Sequence, residues 1–166
     1  MPQNLSGLGA GEPVVRSRKM DYFVEAKKVF NMPRPKVFMD NPKHCEECEE
    51  VEAKAQKYNP DNLTLEEAGW GWATLHNFMN DTGFLYYFPA FIRLCIESDM
   101  ENGYLDSFFF AVTHQGVNNT RLKACTYEQK KFVHDFMVWY RNTYPDLIEQ
   151  WLVEDDVEHA IKLWDV

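Results

Sequence analysis

The sequence has no long apolar run and few cysteines. Its 166 residues include four cysteines, too few for a disulfide-dense secreted scaffold, so we expect free thiols in a reducing compartment. Polar or charged residues interrupt every stretch long enough to span a bilayer. The first fifteen residues also lack the basic start and apolar run of a secretory signal. We therefore expect a cytoplasmic protein that does not cross a membrane.

Positive charge is scarce in most of the chain. Residues 1–43 carry eight Lys or Arg and four acids, whereas residues 44–166 carry nine bases and twenty-two acids; the formal net charge is −9. Such a body repels phosphate backbones, whose binding depends on Lys and Arg, and this argues against nucleic acid as a direct ligand. A basic protein is the better electrostatic match.

Helical spacing of apolar residues dominates the chain after a Gly-rich start. The clearest element follows Thr126, which forms a capping-box pattern with Gln129. We predict a mostly α, single-domain bundle of six or seven helices over residues 16–166, preceded by a flexible lead at residues 1–15. Residues 146–166 are expected to form an acidic helical arm of this domain.

One aromatic stretch, residues 75–88, has two interpretations. The turn residues Asn80, Asp81 and Gly83 could join two short strands of a hairpin. They could instead lie in a loop that leads into a helix beginning at Pro89, since proline suits the first helical turn. We favour the helix.

The segment NPKHCEECEE, residues 41–50, contains the most specific candidate site. Asn41 can cap a helix and Pro42 suits its first position, which predicts a helix from Pro42 to about Tyr58. Cys45 and Cys48 would then lie close enough to share one metal ion, and zinc is the metal that this spacing suits. Two further ligands are needed, no second CxxC is present, and His44 adjoins Cys45, where neighbouring residues seldom bind one ion without strain.

Two other interpretations of the same thiols stay open. A helix start lowers a thiol pKa and so favours redox chemistry, but the four glutamates around Cys45 and Cys48 disfavour a thiolate. The thiols could also pack as small apolar groups at a helix start.

The segments RPKVFMDNPKHCEECEE and GFLYYFPAFIRLCIES resemble a family of uncharacterised bacterial proteins, a domain of unknown function. The resemblance covers roughly residues 33–125 and implies no activity, cofactor or catalytic residue. The positions that carry it are Arg34, Pro35, His44, Cys45, Cys48, Gly83, Phe84, Leu85, Tyr86, Tyr87 and Pro89.

The sequence gives no catalytic pattern. It contains no G-x-S-x-G, H-E-x-x-H or Walker motif, so we assign no catalytic residue, and an enzyme of unknown class is an alternative to a binding protein. The aromatic residues between 70 and 88 are typical of a core, but they could also line a pocket. The candidates for such a pocket are Trp70, Trp72, Tyr86 and Tyr87.

The acidic arm is the second candidate site. Residues 146–166 contain seven acids and one base, Lys162, together with large apolar side chains. This mix is found where steering charges surround an interface hot spot, although a solvated helix face would have the same composition. We predict a protein-binding protein, and specifically an immunity-type inhibitor of a basic toxin or effector. The predicted partner-binding residues are Trp151, Glu154, Asp155, Asp156, Glu158 and Trp164.

Overall fold

A computed structural model describes residues 20–166, and this part of the chain is mostly helical and contains no β-strand. Six of its ten α-helices have seven residues or more, which confirms the predicted mostly α, single-domain fold. The predicted lead at residues 1–15 lies outside the described residues. The α-helices are α1 (Tyr22–Val29), α2 (Glu46–Lys57), α3 (Leu65–Ala68), α4 (Leu75–Phe78), α5 (Asp81–Glu97), α6 (Leu105–Thr113), α7 (Thr120–Ala124), α8 (Tyr127–Thr143), α9 (Pro145–Gln150) and α10 (Glu154–Leu163), with short 3₁₀-helices at Gly71–Ala73 and Gly116–Asn118.

Helix α5 forms the centre of the core, with eleven of its seventeen residues buried. The hairpin considered near residues 75–88 is wrong, and so is a helix start at Pro89. Asn80 is the N-cap, and its side chain accepts the Gly83 N–H at 2.8 Å. Pro89 lies inside the helix, where the lack of an amide hydrogen removes one backbone bond. Burial of the apolar residues around it outweighs that loss.

Helices α8 and α10 also contribute buried residues to the core. The predicted capping box of α8 is confirmed, since the Thr126 hydroxyl and the Gln129 side chain each bond the other residue's backbone. Helix α10 packs against α6 and α8. Trp164 at its end is fully buried, and its indole N–H donates to the Val112 carbonyl at 2.8 Å. The C-terminal segment is therefore part of the core.

Helix α2 begins later than the sequence predicted. Its N-cap is Cys45, not Asn41, and residues 42–45 form turns and bends before it. The loop from residue 31 to 45 lies along α2, because the Glu52 carboxylate accepts the Phe38 N–H at 2.9 Å. At the other end of α2, the Arg34 guanidinium donates to the Tyr58 carbonyl at 3.1 Å. These contacts fix the position of the CxxC segment.

No helix between residues 20 and 166 is both long enough and apolar enough to cross a membrane.

Candidate metal centre

Three metal-ligating side chains meet where α2 begins. One donor atom from each of His44, Cys45 and Cys48 lies within 4.8 Å of the other two. The two sulfurs are 3.2 Å apart, and Cys48 Sγ lies 3.9 Å from His44 Nδ1. His44 and Cys45 are exposed and Cys48 is partly buried, so an ion could reach this site from solvent.

The backbone at Cys45 explains why His44 can join the two thiols. In a continuous helix from Pro42, His44 and Cys48 would share a face, but His44 and the adjacent Cys45 would point about 100° apart. Cys45 instead has an extended backbone, with φ −158° and ψ 170°, and the helix begins at Glu46. The Cys45 sulfur accepts the Cys48 N–H at 3.4 Å, which holds the two cysteine side chains on the same side.

The two thiols differ in their readiness to lose a proton. The pKa of Cys45 is lowered, mainly by its hydrogen bond with the Cys48 thiol and then by the Cys48 N–H and by His44. The pKa of Cys48 is raised, mainly by the same contact with Cys45. Cys45 therefore ionises first. Because the thiolate is the form that binds metals, Cys45 is the thiol of the pair that is more ready to bind one.

The other two cysteines cannot serve as ligands at this site. Cys95 and Cys125 are buried in the core. Burial raises the pKa of Cys125 to about 12 and that of Cys95 well above its usual value. Both side chains therefore remain neutral thiols that pack as small apolar groups.

The donor set and its spacing fit zinc. In a tetrahedral site, zinc–sulfur bonds of about 2.3 Å and zinc–nitrogen bonds of about 2.0 Å separate two sulfurs by about 3.8 Å and sulfur from nitrogen by about 3.6 Å. The sulfur–sulfur separation is 3.2 Å and that from Cys48 Sγ to His44 Nδ1 is 3.9 Å. The third, between Cys45 and His44, is at most 4.8 Å, so each separation lies within about 1.2 Å of its value in a tetrahedral zinc site. Two thiols and an imidazole are ligands that zinc prefers. Within residues 20–166 the cluster has three members, which leaves a fourth coordination position for water or for a ligand from another molecule.

The four aromatic pocket candidates do not line one pocket. Tyr87 is fully buried and its hydroxyl donates to the Ala55 carbonyl at 2.7 Å. The hydroxyl of Tyr86 accepts from Arg34 at 3.2 Å. Trp70 and Trp72 are exposed on the surface. Trp72 alone among the four borders a described cavity.

The predicted partner-binding residues of the acidic arm do not form one exposed surface either. The prediction for Trp164 is wrong, because this side chain is buried in the core, where α10 closes on α6. Trp151 is partly buried, and its N–H donates to the Asp99 carbonyl at 3.0 Å. Glu158 is exposed and pairs with Arg141 at 2.9 Å. The remaining three, Glu154, Asp155 and Asp156, are exposed in the first turn of α10.

A cavity that the sequence did not predict lies beside Trp72. Phe110, His114 and Arg121 line it together with Trp72. These residues come from separate parts of the chain, so no local spacing in the sequence could have indicated that they meet.

Comparison of the chain with known protein families, with curated proteins and with solved structures found no match. The resemblance to a family of uncharacterised bacterial proteins therefore stays a prediction.

Proposed function

We propose that the protein binds one zinc ion through His44 Nδ1, Cys45 Sγ and Cys48 Sγ. The observation that supports this function is the convergence of three soft or borderline donor atoms within 4.8 Å at an accessible surface. The lowered pKa of Cys45 adds support, because a thiol that ionises readily is the better ligand at neutral pH.

The ion would act on the structure around α2. It would connect the turn that contains His44 to the first turn of the helix that contains Cys48. The same loop is already held farther along by the contact between Glu52 and the Phe38 N–H. Zinc would thus give the exposed C-terminal end of the loop an anchor in addition to the one in its middle at Phe38, and its fourth position would accept water or a ligand from a partner.

Elemental analysis and spectroscopy test the proposal. Protein purified under reducing conditions and dialysed against zinc is expected to retain about one zinc per chain. Cys45→Ser and Cys48→Ser should lose it, and His44→Ala should bind it at least about tenfold more weakly. With cobalt in place of zinc, thiolate charge-transfer bands should appear in the wild type and disappear in both serine variants.

Two variants serve as matched controls. Cys125→Ala removes a buried thiol and His159→Ala removes an exposed imidazole, and both should retain the metal. Reduced wild-type protein that binds no zinc, or a Cys48→Ser variant that binds as well as wild type, would contradict the proposal. Isolation of the protein with a Cys45–Cys48 disulfide and no zinc affinity after reduction would favour the thiol-redox alternative.

We propose a second function, recognition of a basic protein partner, for the first turn of α10. The supporting observation is that Glu154, Asp155 and Asp156 are exposed, and no Lys or Arg of the described chain lies within 4.0 Å of their carboxylates. An immunity-type inhibitor would use such unpaired charge to steer a basic toxin or effector. A basic protein that co-purifies from the native host should dissociate at high salt and fail to bind Asp155→Lys/Asp156→Lys. Binding that survives both changes would contradict this role.

A further inference from the structure

A cavity of about 380 Å³ lies between the Gly71–Ala73 turn, α6 and α7. This volume is near the lower end of the range of small-molecule sites, so it suits a ligand with one ring. Its wall contains two aromatic side chains that the core does not require. Trp72 is 76% exposed and Phe110 is 51% exposed, and large apolar surface left open in this way is typical of a ligand site.

Arg121 gives the cavity a cation that forms no direct ion pair within residues 20–166. One face of its guanidinium lies over the Phe84 ring, with its central carbon 4.1 Å from the ring centroid. Nη2 donates to the His76 carbonyl, and the other side-chain N–H groups have no acceptor among residues 20–166. In the same part of the chain, no carboxylate oxygen lies within 4.0 Å of it. Asp81, an acid that contributes to its electrostatic environment, accepts a hydrogen bond from Thr120 at 2.8 Å.

The loop after α6 completes the opposite wall. His114 lies beside Phe110, with 4.9 Å between the ring centroids. Gln115 has φ 65°, a left-handed backbone that costs free energy in a residue with a side chain. Both side chains are exposed and line the cavity. A left-handed residue directly after a helix C-cap is a common way to end a helix, and here it begins the loop that lines the cavity.

Acidic residues limit what the site can accept. An adjoining cavity of about 310 Å³ shares Asn77 and Phe110 with the first and is bordered by Asp106 and Asp156. A second anionic group that extended into this space would meet two carboxylates. The pair of cavities therefore selects for a ligand with negative charge at one end.

We infer that the cavity binds a small aromatic ligand with a single anionic group, with the guanidinium of Arg121 holding this carboxylate or phosphate and Trp72 and Phe110 contacting the ring. Arginine matches the geometry of both anionic groups and pairs with either through two parallel hydrogen bonds. This inference is independent of the proposed zinc site.

Nuclear magnetic resonance of the indole N–H groups tests the inference directly. Phenylacetate and phenyl phosphate supply the two anionic groups, phenylacetamide is the neutral analogue, and 1,4-phenylenediacetate has two separated carboxylates. Titration with at least one of the first two should shift the signal of Trp72 and leave that of Trp70 in place. Phenylacetamide and 1,4-phenylenediacetate should each bind at least about tenfold more weakly than that ligand, since the charge-assisted pair with Arg121 is lost in the first and the second carboxylate meets Asp106 and Asp156 in the other.

Variants separate a ligand site from a merely structural arginine. Arg121→Gln should weaken binding at least about tenfold. Trp72→Ala should weaken it severalfold, and Trp70→Ala, which removes another exposed indole nearby in sequence, should not. If Arg121→Gln does not fold, the comparison of the two tryptophan variants decides. Equal affinity for the anions and phenylacetamide, equal effects of the two tryptophan variants, or no shift at Trp72 with either anion would overturn the inference.

Discussion

His76 provides a test of the core through the pH dependence of stability. Its ring is fully buried and Nδ1 lies 2.5 Å from the Tyr104 hydroxyl oxygen, whereas Nε2 has no partner among the described residues. Burial and then the nearby Arg121 charge hold the pKa of His76 well below its usual range. The folded protein therefore keeps this imidazole neutral under conditions in which the unfolded chain protonates it.

The sign and size of the effect follow from this difference. Below about pH 6.5 the unfolded state binds one more proton than the folded state, so stability falls as the pH falls. One group contributes up to about 1.4 kcal/mol per pH unit, which amounts to at most about 2 kcal/mol between pH 7 and pH 5. Full burial of the ring means that solvent screening does not reduce the effect.

Urea unfolding of the wild type and of His76→Gln at pH 7 and pH 5 measures the contribution of His76 to the pH dependence of stability. A chelator should be present so that metal binding does not contribute. The loss of unfolding free energy between the two pH values should be smaller in the variant, by up to about 2 kcal/mol. His159→Gln, which removes an exposed histidine, should keep the wild-type loss. Equal losses in the wild type and His76→Gln would refute the assignment of a neutral, poorly solvated imidazole.

Three substitutions test particular contacts by urea unfolding. Gly83→Ala should destabilise the fold by about 1–3 kcal/mol, because its Cβ would lie 2.8 Å from the Phe38 carbonyl oxygen. Trp164→Phe should cost about 1–3 kcal/mol, because it leaves the buried Val112 carbonyl without its indole donor. Thr126→Ala should cost about 1 kcal/mol, because the capping box at the start of α8 is lost.

Conservative changes at nearby positions control these measurements. Thr82→Ala alters an exposed neighbour of Gly83 in the same helix turn and should change stability by less than about 0.5 kcal/mol. Thr126→Ser retains a capping oxygen and should lose little. A Gly83→Ala protein as stable as the wild type would show that the α5 start can move away from the loop, and a silent Trp164→Phe would show that Val112 finds another donor.

A helix start could be predicted from the sequence where the contacts that form it lie close together in the chain. The capping box of α8 involves residues three positions apart, so a short window contains all of its information. The predicted start of α5 at Pro89 was wrong, because Asn80 and Gly83 are typical of a turn as well as of a helix N-terminus. Only the packing of the apolar residues beyond them favours the helix, and that packing depends on distant parts of the chain.

The candidate sites also differ in how far apart their residues lie in the sequence, and therefore in how well they could be predicted. The sequence indicated Cys45 and Cys48 as a candidate site because both lie in one short motif, but the position of His44 beside both thiols depends on the extended backbone of Cys45. Burial of Trp164 requires α6, which is far away in the sequence. Arg121 likewise meets its cavity partners only through tertiary packing, and no spacing rule could have identified it.

The acids of α10 have a structural role whether or not a partner binds them. No side chain caps the start of this helix, and three acids occupy its first turn, where negative charge stabilises the helix dipole. Reversal of Asp155 and Asp156 would therefore weaken the helix as well as any interface. The Asp155→Lys/Asp156→Lys variant must therefore retain the unfolding midpoint of the wild type before loss of a basic partner is assigned to the interface. Asp165→Lys reverses an exposed acid beyond the helix and should leave binding intact at the same stability.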